Sequence, residues 1–188
     1  MTGALPGEDG RLRCPWALST PEYVSYHDDE WGRHLTSDDA MFERLTLEGF
    51  QSGLSWLIVL RKRPAFRTAF AGFSIAAVAD FDDSDVERLL ADAGIVRNRA
   101  KIEATISNAR AALDLPGGIL TFVSGFAPTG KRRAPRVVGE LQSVSDESIA
   151  MAKALKSHGL RFVGPTTAYA LMQATGLVND HLAKCWCR

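Results

Sequence analysis

Apolar residues recur along most of this chain with a period near 3.6, the spacing of helices that each bury one face. The cluster Thr36-Ser37-Asp38-Asp39 supplies an N-cap ahead of apolar Met41, Phe42 and Leu45 and opens one helix. Pro64 heads another, whose Phe66, Ala69, Phe70 and Phe73 fall at i, i+3, i+4 and i+7. A short helix over 85–93 is followed by Gly94, which can stop it in a left-handed cap. Over 99–113, Ile102, Ile106, Ala109 and Leu113 share a stripe, and 146–157 follows a Ser145 cap and ends before Gly159. Pro165 starts a further helix that Gly176 ends. The stretch 114–144 is irregular, broken by Pro116-Gly117-Gly118, Pro128-Thr129-Gly130 and Pro135. Its strand-like pieces, Leu120-Thr121-Phe122-Val123 and Val137-Val138, are too weak to build a sheet. The pattern predicts an all-α fold without internal repeats.

Composition narrows the class. A chain of 188 residues with 46% hydrophobic content buries a sizeable core as one domain without disulfide staples. Residues 1–10 carry neither a basic flank nor an apolar run, so they predict a flexible N-terminal tail rather than a signal peptide, with a single domain over 11–188. No window approaches the ~18 uninterrupted apolar residues of a membrane span. The three cysteines, Cys14, Cys185 and Cys187, are an odd number at the chain's extremes. That argues for a reducing cytoplasm in which thiols bind metal or stay free. Net charge is zero, yet 80–92 holds six acids against one base, while bases gather at 61–63, 97–101 and 131–136. Such runs are ordinarily solvated faces; they permit a phosphate-facing side without requiring one.

Three constellations carry chemistry. His181 and Cys185 are four residues apart, so on a helix begun by Asn179 or Asp180 they share a face about one turn apart. Cys14 and His27, thirteen apart, can supply a second pair, and two Cys with two His complete the closed shell of a structural zinc. Spacing alone leaves open a buried cysteine with surface histidines, and Cys187 competes with Cys185. Two helix–turn–helix joints are predicted over 89–101 and 160–169. In the second, Gly164 permits close backbone approach, and the N–H groups of Thr166 and Thr167 lie at a helix N-terminus that favours an anion. The same pattern also suits a plain tight turn. Finally, Glu48 follows Leu45 by three residues and Met41 by seven, on an apolar stripe, where burial raises a carboxyl pKa unless a partner compensates. Trp16, Tyr23, Tyr26, Trp31 and Trp56 crowd the same part of the sequence.

Cys14-Pro15-Trp16, the run from Tyr26 to Gly32, Leu47-Glu48-Gly49-Phe50-Gln51-Ser52-Gly53-Leu54-Ser55-Trp56, Phe162-Val163-Gly164-Pro165-Thr166-Thr167 and the run from Gly176 to His181 together resemble the 3-methyladenine DNA glycosylase I family. The resemblance covers about residues 11–187, with the motifs in order. It implies a helix-hairpin-helix DNA glycosylase fold whose N- and C-terminal segments are joined by one structural Zn2+ on Cys14, His27, His181 and Cys185. It implies hydrolysis of the N-glycosidic bond of N3-methyladenine in double-stranded DNA, leaving an abasic site. Glu48 matches the pocket carboxylate, and Trp16, Tyr23, Tyr26 and Trp56 match the base-binding aromatics. Leu54 matches the residue that fills the opened duplex, while Gly164, Thr166 and Thr167 fall in the DNA-binding hairpin.

Two departures stand out. The wider superfamily's catalytic Asp slot reads Val178-Asn179-Asp180-His181 here, and 164–169 offers no lysine nucleophile, so the expectation is a monofunctional, monomeric enzyme without a strand-nicking step. A tryptophan that the family pattern places near 124 is absent from Val123-Ser124-Gly125-Phe126, which bears on packing there and not on the chemistry. Rival readings are a non-catalytic damage sensor, a thiol redox protein built on Cys185-Trp186-Cys187, and a glycosylase for another alkylated purine.

Overall fold

The computed structural model describes residues 2–130 and 132–188. Among these, nine helices run in the order α1 (Pro21–Asp29), α2 (Asp38–Gln51), α3 (Trp56–Ala69), α4 (Ile75–Ala79), α5 (Asp83–Ala91), α6 (Arg99–Leu113), α7 (Gly118–Ser124), α8 (Asp146–Ser157) and α9 (Pro165–Ala174). None is long and apolar enough to cross a membrane. The all-α class expected from periodicity is what the chain adopts.

Helix α2 is the axis of the fold. Its N-cap Ser37 accepts from the Ala40 N–H, Asp38 and Asp39 fill the first turn, and every residue from Leu45 to Phe50 is buried. A helix buried on all sides must be wrapped by others, and α3, α6, α7 and α9 pack around it. Phe42, Phe50, Phe66, Phe70 and Phe73 form an aromatic seam in that core, each side chain contributing about 2–3 kcal/mol by burial.

Several local expectations are corrected. Pro64 sits inside α3 rather than opening a helix, because Trp56 begins the same helix eight residues earlier. Gly94 is not a left-handed cap; α5 ends at Ala91, and Asp92 accepts the Gly94 N–H at 2.7 Å. The strand-like 120–123 lies within α7, where Asp38 of α2 accepts the Leu120 N–H at 2.8 Å and tertiary contact overrides β propensity. Residues 5–6, read as part of a loose tail, pair antiparallel with Leu12–Arg13. Arg13 fixes that hairpin through Asp9 at 2.6 Å and ties it to Asp28 of α1 at 2.7 Å. His181 lies in a bend and Cys185 between the turns at 183–184 and 186–187, so the pair is not on a helix.

The joint between α8 and α9 forms as expected. Gly159 takes φ +90° at the end of α8, its N–H reaching the Lys156 carbonyl while that of Leu160 reaches Leu155. This is a complete Schellman stop, with Leu160 buried behind it. Gly164 then caps α9 without a side-chain bond, so the first-turn N–H groups of Thr166 and Thr167 have no capping side chain.

Candidate active site and metal centre

Glu48 projects from the buried face of α2 into a cavity of about 330 Å³. Trp16, Tyr23 and Tyr26 come to it from the N-terminal segment and α1, Trp56 from the start of α3, and Gln173 from α9. All five pocket residues named from the sequence are therefore brought to one cavity. Trp16 meets Tyr23 edge-on at 5.6 Å between centroids, and Tyr26 tilts against Trp56 at 5.4 Å. Both are favourable approaches for ring quadrupoles, and all four rings line the void. The Tyr26 hydroxyl accepts from Arg44 at 2.9 Å, and Arg44 also approaches Glu30, which Arg63 grips with its two terminal guanidinium nitrogens. This chain of charges fixes the Tyr26 ring without touching the cavity.

Burial pushes the Glu48 carboxyl up to about 7, and the Arg44 guanidinium offsets part of that rise. The indole Nε1 of Trp56 is buried without an acceptor among the described residues. A buried carboxyl with a raised pKa, lining an aromatic cavity, is the cost expected of a site that binds a ligand. Trp31, Gln51 and Gln173 also line it and were missed as pocket residues. Gln51 was legible, since it lies three residues after Glu48 on the same helix. Gln173 was not: it arrives by the packing of α9, where Asp180 accepts from its amide at 2.9 Å and from Tyr169 at 2.7 Å.

Leu54 stands 37% exposed in the loop between α2 and α3, directly after Gly53 at φ +82°. Gln51 and Trp56 flank that loop and both line the cavity, so Leu54 stands at its edge. On α9, Ala170 and Gln173 form a wall of the same cavity, which places Gly164, Thr166 and Thr167 at the far end of a pocket helix. A Cβ on Gly164 would meet nothing within 4 Å, so open space faces this backbone. The basic runs contribute less. Arg61 binds Glu22, Lys62 binds the Ala93 and Gly94 carbonyls, Arg63 binds Glu30, and Arg99 binds Glu87.

Cys14, His27, His181 and Cys185 converge, each offering a ligand atom within 4.8 Å of the others, and all four are buried. Cys185 Sγ lies 3.4 Å from His27 Nε2 and 3.5 Å from His181 Nδ1. The outer ring nitrogens are also held: His27 Nδ1 by Asp28 at 2.7 Å and His181 Nε2 by the Trp31 carbonyl at 3.2 Å. Imidazoles oriented by a carboxylate and a carbonyl, with two thiols between them, suit a zinc ion. The Cys185 thiol is held well below its usual range by Cys14, which donates to it, and by the two histidines. Cys187 lies 3.7 Å from the outer His27 Nδ1 and from Asp28, outside the four-residue cluster. The reach of Cys185 over Cys187 comes from turns rather than helical periodicity.

The cavity thus sets one carboxyl among aromatic side chains drawn from the N-terminal segment, α1 and α3, a lining chemically suited to a flat, polar-edged ring. The methyladenine glycosylase model matches residues 16–188. The chain is 44% identical over 180 residues to DNA-3-methyladenine glycosylase 1 of Escherichia coli (strain K12), spanning 93% of this chain and 96% of that one. A crystal structure of 3-methyladenine DNA glycosylase I superposes with a TM-score of 0.89 at 43% identity, over 94% of this chain and 99% of the other. A variant of 3-methyladenine DNA glycosylase I in complex with 3-methyladenine superposes with a TM-score of 0.87 at 32% identity, over 93% and 96%. The chain belongs to the methyladenine glycosylase family, and so to the DNA glycosylases, hydrolases of N-glycosyl bonds.

Proposed function

We propose that the protein excises N3-methyladenine from alkylated double-stranded DNA and leaves an abasic site. The observation that carries this reading is the buried Glu48 carboxyl, without a salt-bridge partner among the described residues, inside the Trp16–Tyr23–Tyr26–Trp56 cavity. A base inside a duplex is out of reach, so the nucleotide must first be turned out, at a cost of a few kcal/mol. N3-methyladenine is cationic while attached to its sugar and is already a good leaving group. Aromatic faces stabilise that cation and not a neutral adenine. Glu48 hydrogen-bonds the base edge, and its negative charge favours the oxocarbenium-like transition state. Leu54 fills the gap left in the stack, and the donors of Thr166 and Thr167 with the open backbone at Gly164 take a phosphate.

One zinc on Cys14, His27, His181 and Cys185 ties the chain's ends together; its closed shell leaves no position for a reactive water. The enzyme is monofunctional and acts as a monomer. Asp180, shifted by one from the superfamily's catalytic slot, is occupied by Tyr169 and Gln173, and His181 belongs to the metal cluster.

Methylated duplex DNA incubated with the protein should release N3-methyladenine, identified by chromatography, and borohydride should trap no covalent adduct. Glu48→Gln and Glu48→Ala should both lose most single-turnover activity. Near-normal rates in both variants would remove Glu48 from the chemistry. Release of a different purine would favour the rival glycosylase reading.

A further inference from the structure

Helix α6 reaches two separate loops with polar side chains seven residues apart, spaced to lie on one face two turns from each other. Lys101 donates through Nζ to the carbonyl oxygens of Phe50, at 2.8 Å, and Ser52, at 2.6 Å. These are the last-turn and C-cap carbonyls of α2, where free acceptors and the helix dipole favour a cation. The lysine is 9% exposed and forms no ion pair among the described residues. Burial lowers its pKa, so the ammonium is kept there at a cost. The chain it holds turns at once into Gly53 and Leu54.

Asn108 grips the other loop. Its Nδ2 donates to the Arg161 carbonyl at 3.0 Å and its Oδ1 accepts the Arg161 N–H at 2.7 Å, so both backbone groups of one residue are clamped. The next residue, Phe162, takes φ +57°, a left-handed conformation that strains a non-glycine residue. Val163 and Gly164 follow and lead into α9. A two-point hold on Arg161 fixes this strained turn where the hairpin approaches α2, Phe162 standing against Gly49.

We propose that Lys101 and Asn108 are positioning residues for DNA engagement, making α6 a common strut that fixes the Leu54 loop and the Arg161–Gly164 turn relative to one another. The inference rests on the reading above that these two loops meet the duplex. Neither side chain lines the base cavity. Their loss therefore separates duplex binding from base binding, as a general weakening of the fold does not.

The test uses the full chain with two ligands, a duplex carrying an abasic-site analogue and free 3-methyladenine followed by tryptophan fluorescence. Lys101→Met and Asn108→Ala should each weaken duplex binding about tenfold and leave free-base affinity within about twofold. Lys101→Arg, which retains the cation, should recover most of the duplex affinity. Free-base affinity is the folding check for Asn108→Ala, because Asn108 is itself buried and its loss leaves both Arg161 backbone groups without their partner. Leu54→Ala serves as the reference. If it weakens duplex binding while Lys101→Met and Asn108→Ala bind like the parent, the strut is refuted and the loop reading stands. Equal loss of both ligands in the two α6 variants also refutes it. If all three variants bind duplex unchanged, the loop reading itself fails and takes the strut with it.

Discussion

No hydrogen bond from a described residue compensates the buried Glu48 carboxylate, and only the charge of Arg44 favours its ionisation. Its folded pKa, raised from 4.5 to about 7, has a sign that can be followed in stability. Below pH 4.5 the group is neutral in both states and costs nothing. As pH rises, the unfolded chain ionises first, so stability falls until the folded group ionises near 7. Above that the penalty is complete, about 3 kcal/mol. Glu48→Gln should therefore melt several degrees above the parent at pH 8 and differ little near pH 4.5, in matched thermal scans. Activity runs the other way. If the ionised form stabilises the transition state, the parent's kcat/KM rises with pH through about 7, whereas Glu48→Gln is flat and about a hundredfold slower. A parent profile without that limb would show that the charge of Glu48 is not used.

At the scale of elements, two glycines distinguish packing from function. A Cβ on Gly94 would come within 2.9 Å of the Ala65 Cβ on α3, whereas one on Gly164 meets nothing. Gly94→Ala should cost about 1–2 kcal/mol by denaturant unfolding and leave DNA affinity per folded molecule unchanged. Gly164→Ala should stay within about 0.5 kcal/mol in stability yet bind duplex about tenfold more weakly, because its methyl occupies the approach to the α9 N-terminus. Unchanged binding in Gly164→Ala would remove the phosphate from that turn. The helices themselves were legible where a cap met a stripe. Asp146–Ser157 and Arg99–Leu113 match their sequence bounds because Ser145 and Asn98 cap them locally. Legibility failed where tertiary contact decides. Nothing local announces that α3 continues through Pro64, whose lost N–H bond is offset by burial of Val59, Phe66 and Ala69 on the same helix. Nor does the sequence show that Asp38 of α2 draws 120–123 into α7.

For the molecule as a whole, the candidate site was legible in its chemistry but not in its assembly. The oddity of Glu48 on an apolar stripe, and the i, i+4 pair His181 and Cys185, could be read from local spacing. That Trp16 and Tyr26 face the cavity of Glu48 could not, because helix packing decides it; there the resemblance to a family did what periodicity cannot, whereas Gln173, 147 residues beyond Tyr26, escaped both. The structure shows why the ends must meet. Residues 177–188 contain no regular helix, so His181 and Cys185 are held by turns and by bonds to distant segments, including Trp186 N–H to Leu12 at 2.9 Å and Ala183 N–H to Pro135 at 2.8 Å. A second small core of Cys14, Leu182 and Cys185 packs against Trp16. This core is small, and a zinc ion on the four residues, as proposed, would add to the hold that burial and hydrogen bonds give the N-terminal segment. Metal analysis should find one zinc per chain, lost in Cys185→Ser and retained in Cys187→Ser. Without zinc, the melting temperature should fall, and free 3-methyladenine should bind at least tenfold more weakly as the Trp16–Tyr26 wall loosens. Far-UV circular dichroism should change little, because the wrapped α2 core does not touch the cluster. A metal-free chain that melts and binds base like the parent would show that hydrogen bonds alone close the ends.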